Sequence, residues 1–177
     1  SYFFLGEIYT DLELPIDEPE IVNHCGSCTS CMDVCPTKAF EGPNQLDARK
    51  CISYLTIEYK GSIKEELRPM MGIRIFGCDD CQIFCPWNKF LKITDEADFK
   101  PRHNLDDIDL SNLFMWSEEE FLKKTQGSPI RRAGYESWLR NIAIALGNAE
   151  SSVEVLRVLH SKKDDPSEIV KEHVNWA

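Results

Sequence analysis

The sequence predicts a mostly α chain of the α+β class, in which a small cysteine-bound domain is followed by a stack of short amphipathic helices. Three observations carry this. All eight cysteines lie between residues 25 and 85. From about Pro101 onward, apolar residues recur at helical spacing between capping residues and glycine stops. At the front, an apolar, aromatic run leads into a stretch rich in proline and acid, the pattern of one strand followed by a linker.

The front run is Tyr2-Phe3-Phe4-Leu5-Gly6-Glu7-Ile8-Tyr9. A lone strand this apolar cannot bury itself. The chain opens in mid-pattern, so the run is expected to close a domain that precedes this sequence. The other reading is an N-terminal strand packed on the cysteine domain. Leu12 to Glu20, with Pro15, Pro19 and four acids, reads as extended linker, which makes residues 1–20 the end of one unit plus a connection.

The domain at about residues 21–100 is organised by Cys25, Cys28, Cys31 and Cys35-Pro36, spaced C-x2-C-x2-C-x3-C-P. This is the bacterial ferredoxin run, in which three thiolates hold one iron–sulfur cluster and the fourth reaches across to another. Cys78, Cys81 and Cys85-Pro86 form a second run, whose expected first cysteine is replaced by Ile75. Cys51, the only cysteine between the runs, restores the count. Crossed ligation then gives Cys25, Cys28, Cys31 and Cys85 to cluster one, and Cys35, Cys51, Cys78 and Cys81 to cluster two. The fold expected is a two-cluster ferredoxin-like domain. Four disulfides are the rival for a secreted chain, but no export signal is present. Zinc is the other rival, though a zinc knuckle needs neither the triple run nor the two Cys-Pro endings.

Between the runs, Leu46 to Tyr59 reads as one helix with Asp47 as N-cap, projecting Cys51 onto cluster two. Ser62-x-x-Glu65 reads as a capping box for a short helix ending before Pro69, and Asp79 to Phe84 as a helical turn. Ile73, Ile75, Phe76, Ile83, Phe84 and Trp87 are expected to wall the clusters from water.

Residues 101–177 give the helical domain. Ser117-Glu118-Glu119-Glu120 is a capping box, and Ser128-Pro129 an N-cap followed by proline at the first helical position. That helix is expected to run from Ile130 to Leu146 and stop at Gly147-Asn148; two more follow around Val153 to Leu159 and after Asp165-Pro166. Short helices joined by tight turns look like one and a half HEAT-type repeats, which must stack on something, here the cysteine domain.

The formal net charge of −10 argues against a uniformly basic nucleic-acid binder, yet the charge is uneven. Residues 1–20 hold six acids and no base, whereas Lys123, Lys124, Arg131, Arg132 and Arg140 face one acid, Glu136, in residues 121–140. Two basic pairs flanking a helix start make a candidate phosphate surface, though charge runs are often plain solvated faces. No apolar run reaches the length of a membrane span, and reduced cysteines without a signal segment point to the cytoplasm. His24, beside the first ligand, and Asp79 and Asp80, between ligands, read as ordinary loop and helix-start residues. No nucleophile triad, P-loop or G-x-G-x-x-G is present, so no catalytic residue is assigned in this chain.

Together, the segments His24-Cys25-Gly26-x-Cys28, Leu46 to Thr56, Gly77 to Asn88, Ser128 to Gly134 and Leu139 to Asn148 resemble the epoxyqueuosine reductase family over nearly the whole chain. That resemblance implies a cobalamin-dependent enzyme with two 4Fe–4S clusters, which reduces the epoxide of epoxyqueuosine at the tRNA anticodon wobble position to give queuosine. It also implies an external low-potential electron donor, a monomer, and tRNA held by the HEAT-like helices, including Arg131 and Arg132. The family's N-terminal half, with most of the cobalamin site and the acid that donates a proton, has no counterpart here. The resemblance therefore implies the C-terminal, electron-transfer and tRNA-binding portion, inactive alone. Ser53 and Arg74, near the cluster-two ligands in sequence, are the candidate contacts to the cobalamin tail. A stand-alone ferredoxin-like electron carrier with a helical docking module is the other function class; it has no use for an orphan apolar strand at its start.

Overall fold

The computed structural model describes residues 6–177. Positions 2–5 of the expected front strand lie outside the described residues. Residues 6–9 pair with no strand, and the segment through residue 29 contains no helix or strand. Ile8, Tyr9, Leu12, Leu14 and Ile16 are all exposed.

The cysteine part is built from single turns. Helix α1 (Ser30–Asp33) carries Cys31, and α4 (Asp80–Ile83) carries Cys81; the two pack on each other. Between them, β1 (Phe40–Gly42) and β2 (Gln45–Leu46) form an antiparallel hairpin whose turn holds Asn44 at φ 59°. The helix expected from Leu46 to Tyr59 is instead three pieces. Leu46 ends β2, a 3-10 turn covers Ala48–Lys50, and α2 spans Ile52–Ile57. Asp47 does cap, accepting from the Arg49 N–H, but Cys51 has extended backbone (ψ 122°), which breaks the run and puts the cysteine at the α2 N-cap. Ser62 forms no capping box: its hydroxyl donates to Glu172, 2.7 Å away, and the 3-10 turn Glu65–Leu67 starts from Lys64. Pro69 does not end a helix but lies in the first turn of α3 (Arg68–Met71), where its missing N–H leaves no helical bond unmade.

The C-terminal part is α5 (Leu110–Phe114), α6 (Glu118–Lys124), α7 (Tyr135–Asn148), α8 (Val153–Ser161) and α9 (Glu168–Trp176). The Ser117–Glu120 capping box is present. Ser128 caps a separate 3-10 turn, Pro129–Ala133, because Gly134 at φ 75° turns the chain before α7 begins. At the other end, α7 stops at Asn148, where the Gly147-Asn148 pair is expected to end it. Ser167, not Asp165, caps α9; Asp165 accepts from the Ser167 N–H one step earlier.

Every residue of α7 from Ser137 to Leu146 is buried, the mark of a helix covered on all sides. On one side Trp138, Leu139, Ile142 and Leu146 pack with Phe114, Trp116, Phe121, Val158 and Val174. On the other, Ile144 joins Ile52, Leu55, Ile63, Leu67 and Met71 of the cysteine part in a second cluster. The helices thus stack on the cysteine part, as a short array must, and one helix serves both cores.

Candidate metal centres and nucleic-acid surface

The eight thiols part four and four between two chambers. The first, of about 330 Å³, is lined by Cys25, Cys28, Cys31 and Cys85, with His24, Trp87, Lys89 and Phe90 beside them. The second, of about 60 Å³, is lined by Cys35, Cys51, Cys78 and Cys81, with Ala39, Phe40, Leu46 and Ile52 beside them. The folding of single turns produces this division. In each run the cysteine after the turn, Cys35 or Cys85, is carried away from its predecessors, and the α1–α4 pairing delivers it to the opposite group.

Backbone and hydroxyl groups already point at sulfur. Cys35 Sγ accepts from the Ala39 N–H at 3.3 Å, and Cys28 Sγ lies 3.4 Å from Ser30 Oγ. The Ser30 hydroxyl lowers the Cys28 thiol's pKa, whereas burial raises those of Cys78 and Cys81. An all-thiolate donor set in two chambers fits iron–sulfur clusters, each of which spreads four thiolates over four irons. Among the described residues, no three Cys, His, Asp or Glu side chains are grouped as a single ion requires.

The expected apolar wall forms only in part. Ile73 (64% exposed), Ile83 (56%) and Phe84 (59%) face outward, the last two because a one-turn helix cannot bury both faces, whereas Ile75 and Phe76 are half-buried and Trp87 lines the first chamber. The second chamber is instead walled by the hairpin residues Phe40 and Leu46. The Pro43-Asn44 turn between them is a legible signal for that hairpin. Trp87, in the lining of the first chamber, stands between His24 (5.7 Å, edge to face) and Phe90 (5.4 Å).

Ser53 is half-buried on α2, two residues past Cys51. Arg74 is committed to Asp80, which lines the second chamber (Nη2–Oδ2 2.7 Å), and to the Met71 carbonyl.

Of the five basic candidates, Lys123, Arg131 and Arg132 are exposed, and Lys124 lies 4.3 Å over the Trp116 ring. Arg132 also pairs with Glu58 at 2.8 Å. Arg140 must be removed from this surface. It is fully buried, and its guanidinium donates to the carbonyls of Leu55, Tyr59 and Gly61 at 2.7–2.8 Å. Burial pushes it down to about 10, still charged at neutral pH. Nor does a helix start present its N–H groups there, since Pro129–Ala133 is one 3-10 turn. Lys60 holds that turn from behind, its ammonium donating to the carbonyls of Arg132 (3.1 Å) and Ala133 (2.6 Å). Arg102, overlooked in the sequence, is exposed and donates to the Gly127 carbonyl beside the basic loop.

Residues 24–88 match the 4Fe-4S double cluster binding domain family, which makes this an iron–sulfur protein. Over its full 177 residues the chain is 62% identical to the epoxyqueuosine reductase of Pseudomonas aeruginosa, of which it covers 49%. It superposes on the epoxyqueuosine reductase from Bacillus subtilis with a TM-score of 0.81 at 34% identity, covering 90% of this chain and 43% of that one. A crystal structure of an epoxyqueuosine reductase with an epoxyqueuosine-modified tRNA-Tyr stem loop gives a TM-score of 0.80 at 34% identity, with the same coverage. The chain thus resembles epoxyqueuosine reductases over its whole length, and it spans about half the length of the curated relatives it matches. Among the described residues no helix is long and apolar enough to cross a membrane.

Proposed function

We infer that this chain is the C-terminal, electron-transfer and tRNA-binding part of an epoxyqueuosine reductase. The observation that carries the reading is the division of eight thiols into two adjacent all-cysteine chambers. Cys25, Cys28, Cys31 and Cys85 hold one 4Fe–4S cluster; Cys35, Cys51, Cys78 and Cys81 hold the other. The clusters supply one-electron transfer, and cobalamin, bound mostly by the part of the family's length outside this chain, supplies the chemistry that reduces the epoxide to queuosine. Ser53, two residues past Cys51, and Arg74, paired with Asp80 of the second chamber, are the contacts this chain offers the cobalamin tail. Arg131 and Arg132, with Lys123, Lys124 and Arg102 beside them, neutralise backbone phosphates of a tRNA that bears epoxyqueuosine at the wobble position. The helices act as a HEAT-like cradle. The reading includes an external low-potential donor, a cytoplasmic setting and a monomer.

The test is anaerobic iron and sulfide analysis with EPR of the reduced protein, followed by binding of a tRNA anticodon stem loop. Two 4Fe–4S clusters and salt-dependent RNA binding are expected. Zinc in place of iron, or RNA binding unchanged in Arg131→Ala/Arg132→Ala, overturns the corresponding half of the reading.

A further inference from the structure

Asn141 lies on α7, in the helical part, and is fully buried. Its side chain has two N–H donors and an oxygen with two acceptor sites, and all four are used. Nδ2 donates to the Thr56 carbonyl at 2.8 Å and to the Ile75 carbonyl at 2.9 Å. Oδ1 accepts from Arg140 Nε (3.1 Å) and Nη2 (2.9 Å). This network also fixes which end of the amide faces which way, since a flipped group would set NH2 against a guanidinium.

The two carbonyls belong to separate cysteine-bearing segments. Thr56 is on α2, which starts at Cys51, and Ile75 is three residues before Cys78. Thr56 makes a second bridge between the same segments: its hydroxyl donates to the Ile52 carbonyl (2.8 Å) and accepts from the Gly77 N–H (2.9 Å). Helix α2 is only six residues long, so its last carbonyls have no helical partners and take donors from elsewhere. Arg140 supplies the donor for Leu55 and Asn141 the donor for Thr56. The segment carrying Cys85 is braced differently, from within the cysteine part, by Asn88 Nδ2 on the carbonyls of Gln82 and Ile83.

We propose that Asn141, acting with Thr56, is a positioning residue for the second cluster, fixing the spacing of Cys51 and Cys78 from the helical part of the chain. The helical part is then a structural component of that metal centre as well as a surface for RNA. This rests on the two-cluster reading above. Groups that orient metal ligands tune potential and retention, and their loss typically costs about 10–100-fold in metal affinity or activity.

The test uses the full chain, with cluster signals assigned through Cys28→Ser and Cys51→Ser. Asn141→Asp keeps the oxygen that Arg140 uses but turns the donor toward Thr56 and Ile75 into an acceptor. Thr56→Val removes the hydroxyl at constant shape, and Thr56→Ser restores it. In EPR-monitored redox titrations, Asn141→Asp and Thr56→Val are expected to change the second cluster's line shape and move its one-electron equilibrium on the order of tenfold, about 59 mV. Its iron should pass to a chelator about 10–100-fold faster. The first cluster should stay unchanged, and Thr56→Ser should return the wild-type signal. An unshifted second cluster in the folded variants, equal shifts of both clusters, or a Thr56→Ser protein as altered as Thr56→Val overturns the proposal. Should Asn141→Asp fail to fold by circular dichroism, the Thr56 pair decides by the same criteria. Iron analysis of the wild-type chain separates this failure from failure of the two-cluster reading, which would take the proposal with it.

Discussion

The backbone N–H of Ile63 donates to Nε2 of His173 at 3.1 Å, across 110 residues of chain, while His173 Nδ1 lies 2.7 Å from the Ile169 carbonyl. The second contact requires a proton on Nδ1, so Nε2 is left as the acceptor that Ile63 needs. This neutral ring is one rivet between the cysteine part and α9. Arg68 is another: it is buried, bonded through Nε to the Ile63 carbonyl (2.8 Å) and ion-paired with Glu172.

Protonating His173 would set an N–H against the Ile63 N–H. Burial pushes the group down from 6.5 to about 4, and the nearby Arg68 and Arg140 act in the same direction; the Ile169 carbonyl and Glu172 act in the opposite one. A depressed folded-state value means that the unfolded chain binds the proton first. Stability is therefore full above about pH 6.5 and falls as the pH drops toward about 4, by at most about 3 kcal/mol. His173→Gln offers an amide oxygen that does not titrate. The difference in denaturant-unfolding free energy between wild type and variant should shift in the variant's favour between pH 6.5 and pH 4. A constant difference across that range would show that this contact does not govern the acid response.

The cysteine spacing made both chambers legible, because cluster ligation is a local rule written in residue counts. What the sequence hid depends on tertiary partners. Arg140 looked like part of a basic surface because charge density along a chain carries no direction; α7 turns it inward to the carbonyls of Leu55 in α2 and of Tyr59 and Gly61 just beyond it. Ser62 matched a capping pattern, yet Glu172, 110 residues on, takes its hydroxyl. The helix through Cys51 breaks at that residue, a feature that helical periodicity does not record. The apolar residues around the second run read as core, although no element among the described residues covers Ile73 or Phe84.

The burial of Arg140 separates two kinds of arginine. Arg140→Leu strands the carbonyls of Leu55, Tyr59 and Gly61 and removes the partner of Asn141 Oδ1. It should destabilise the fold by about 3 kcal/mol or more, since charge-assisted hydrogen bonds each carry about 1.5–3 kcal/mol. Chemical denaturation should show this with or without RNA. A loss within about 0.5 kcal/mol, the range of ordinary surface changes, would contradict the buried placement.

Arg131→Ala and Arg132→Ala should do the reverse. Both side chains are exposed, and the Arg132–Glu58 pair is of the solvent-facing kind worth under about 1 kcal/mol, so stability should hardly move. If each contacts a phosphate, each substitution should weaken stem-loop binding and reduce the slope of log affinity against log salt by about 1. An unchanged slope in the double variant would remove this loop from the RNA surface.

Crossed ligation can be tested by comparing Cys51→Ala with Cys85→Ala. Two cubanes contain about eight irons, and each substitution should leave about four, but not the same four. The chambers differ in access. Cys25 and Cys28 of the first are exposed, whereas all four cysteines of the second are half-buried around a much smaller space. Iron left in Cys51→Ala should sit in the chamber with exposed cysteines and pass faster to a chelator; iron left in Cys85→Ala should sit in the one whose cysteines are all half-buried and pass more slowly. If ligation were uncrossed, Cys85 would serve the same centre as Cys78 and Cys81, and both variants would keep the same chelator-labile cluster. Identical release kinetics for the two proteins would therefore refute the assignment, even with the iron count as expected.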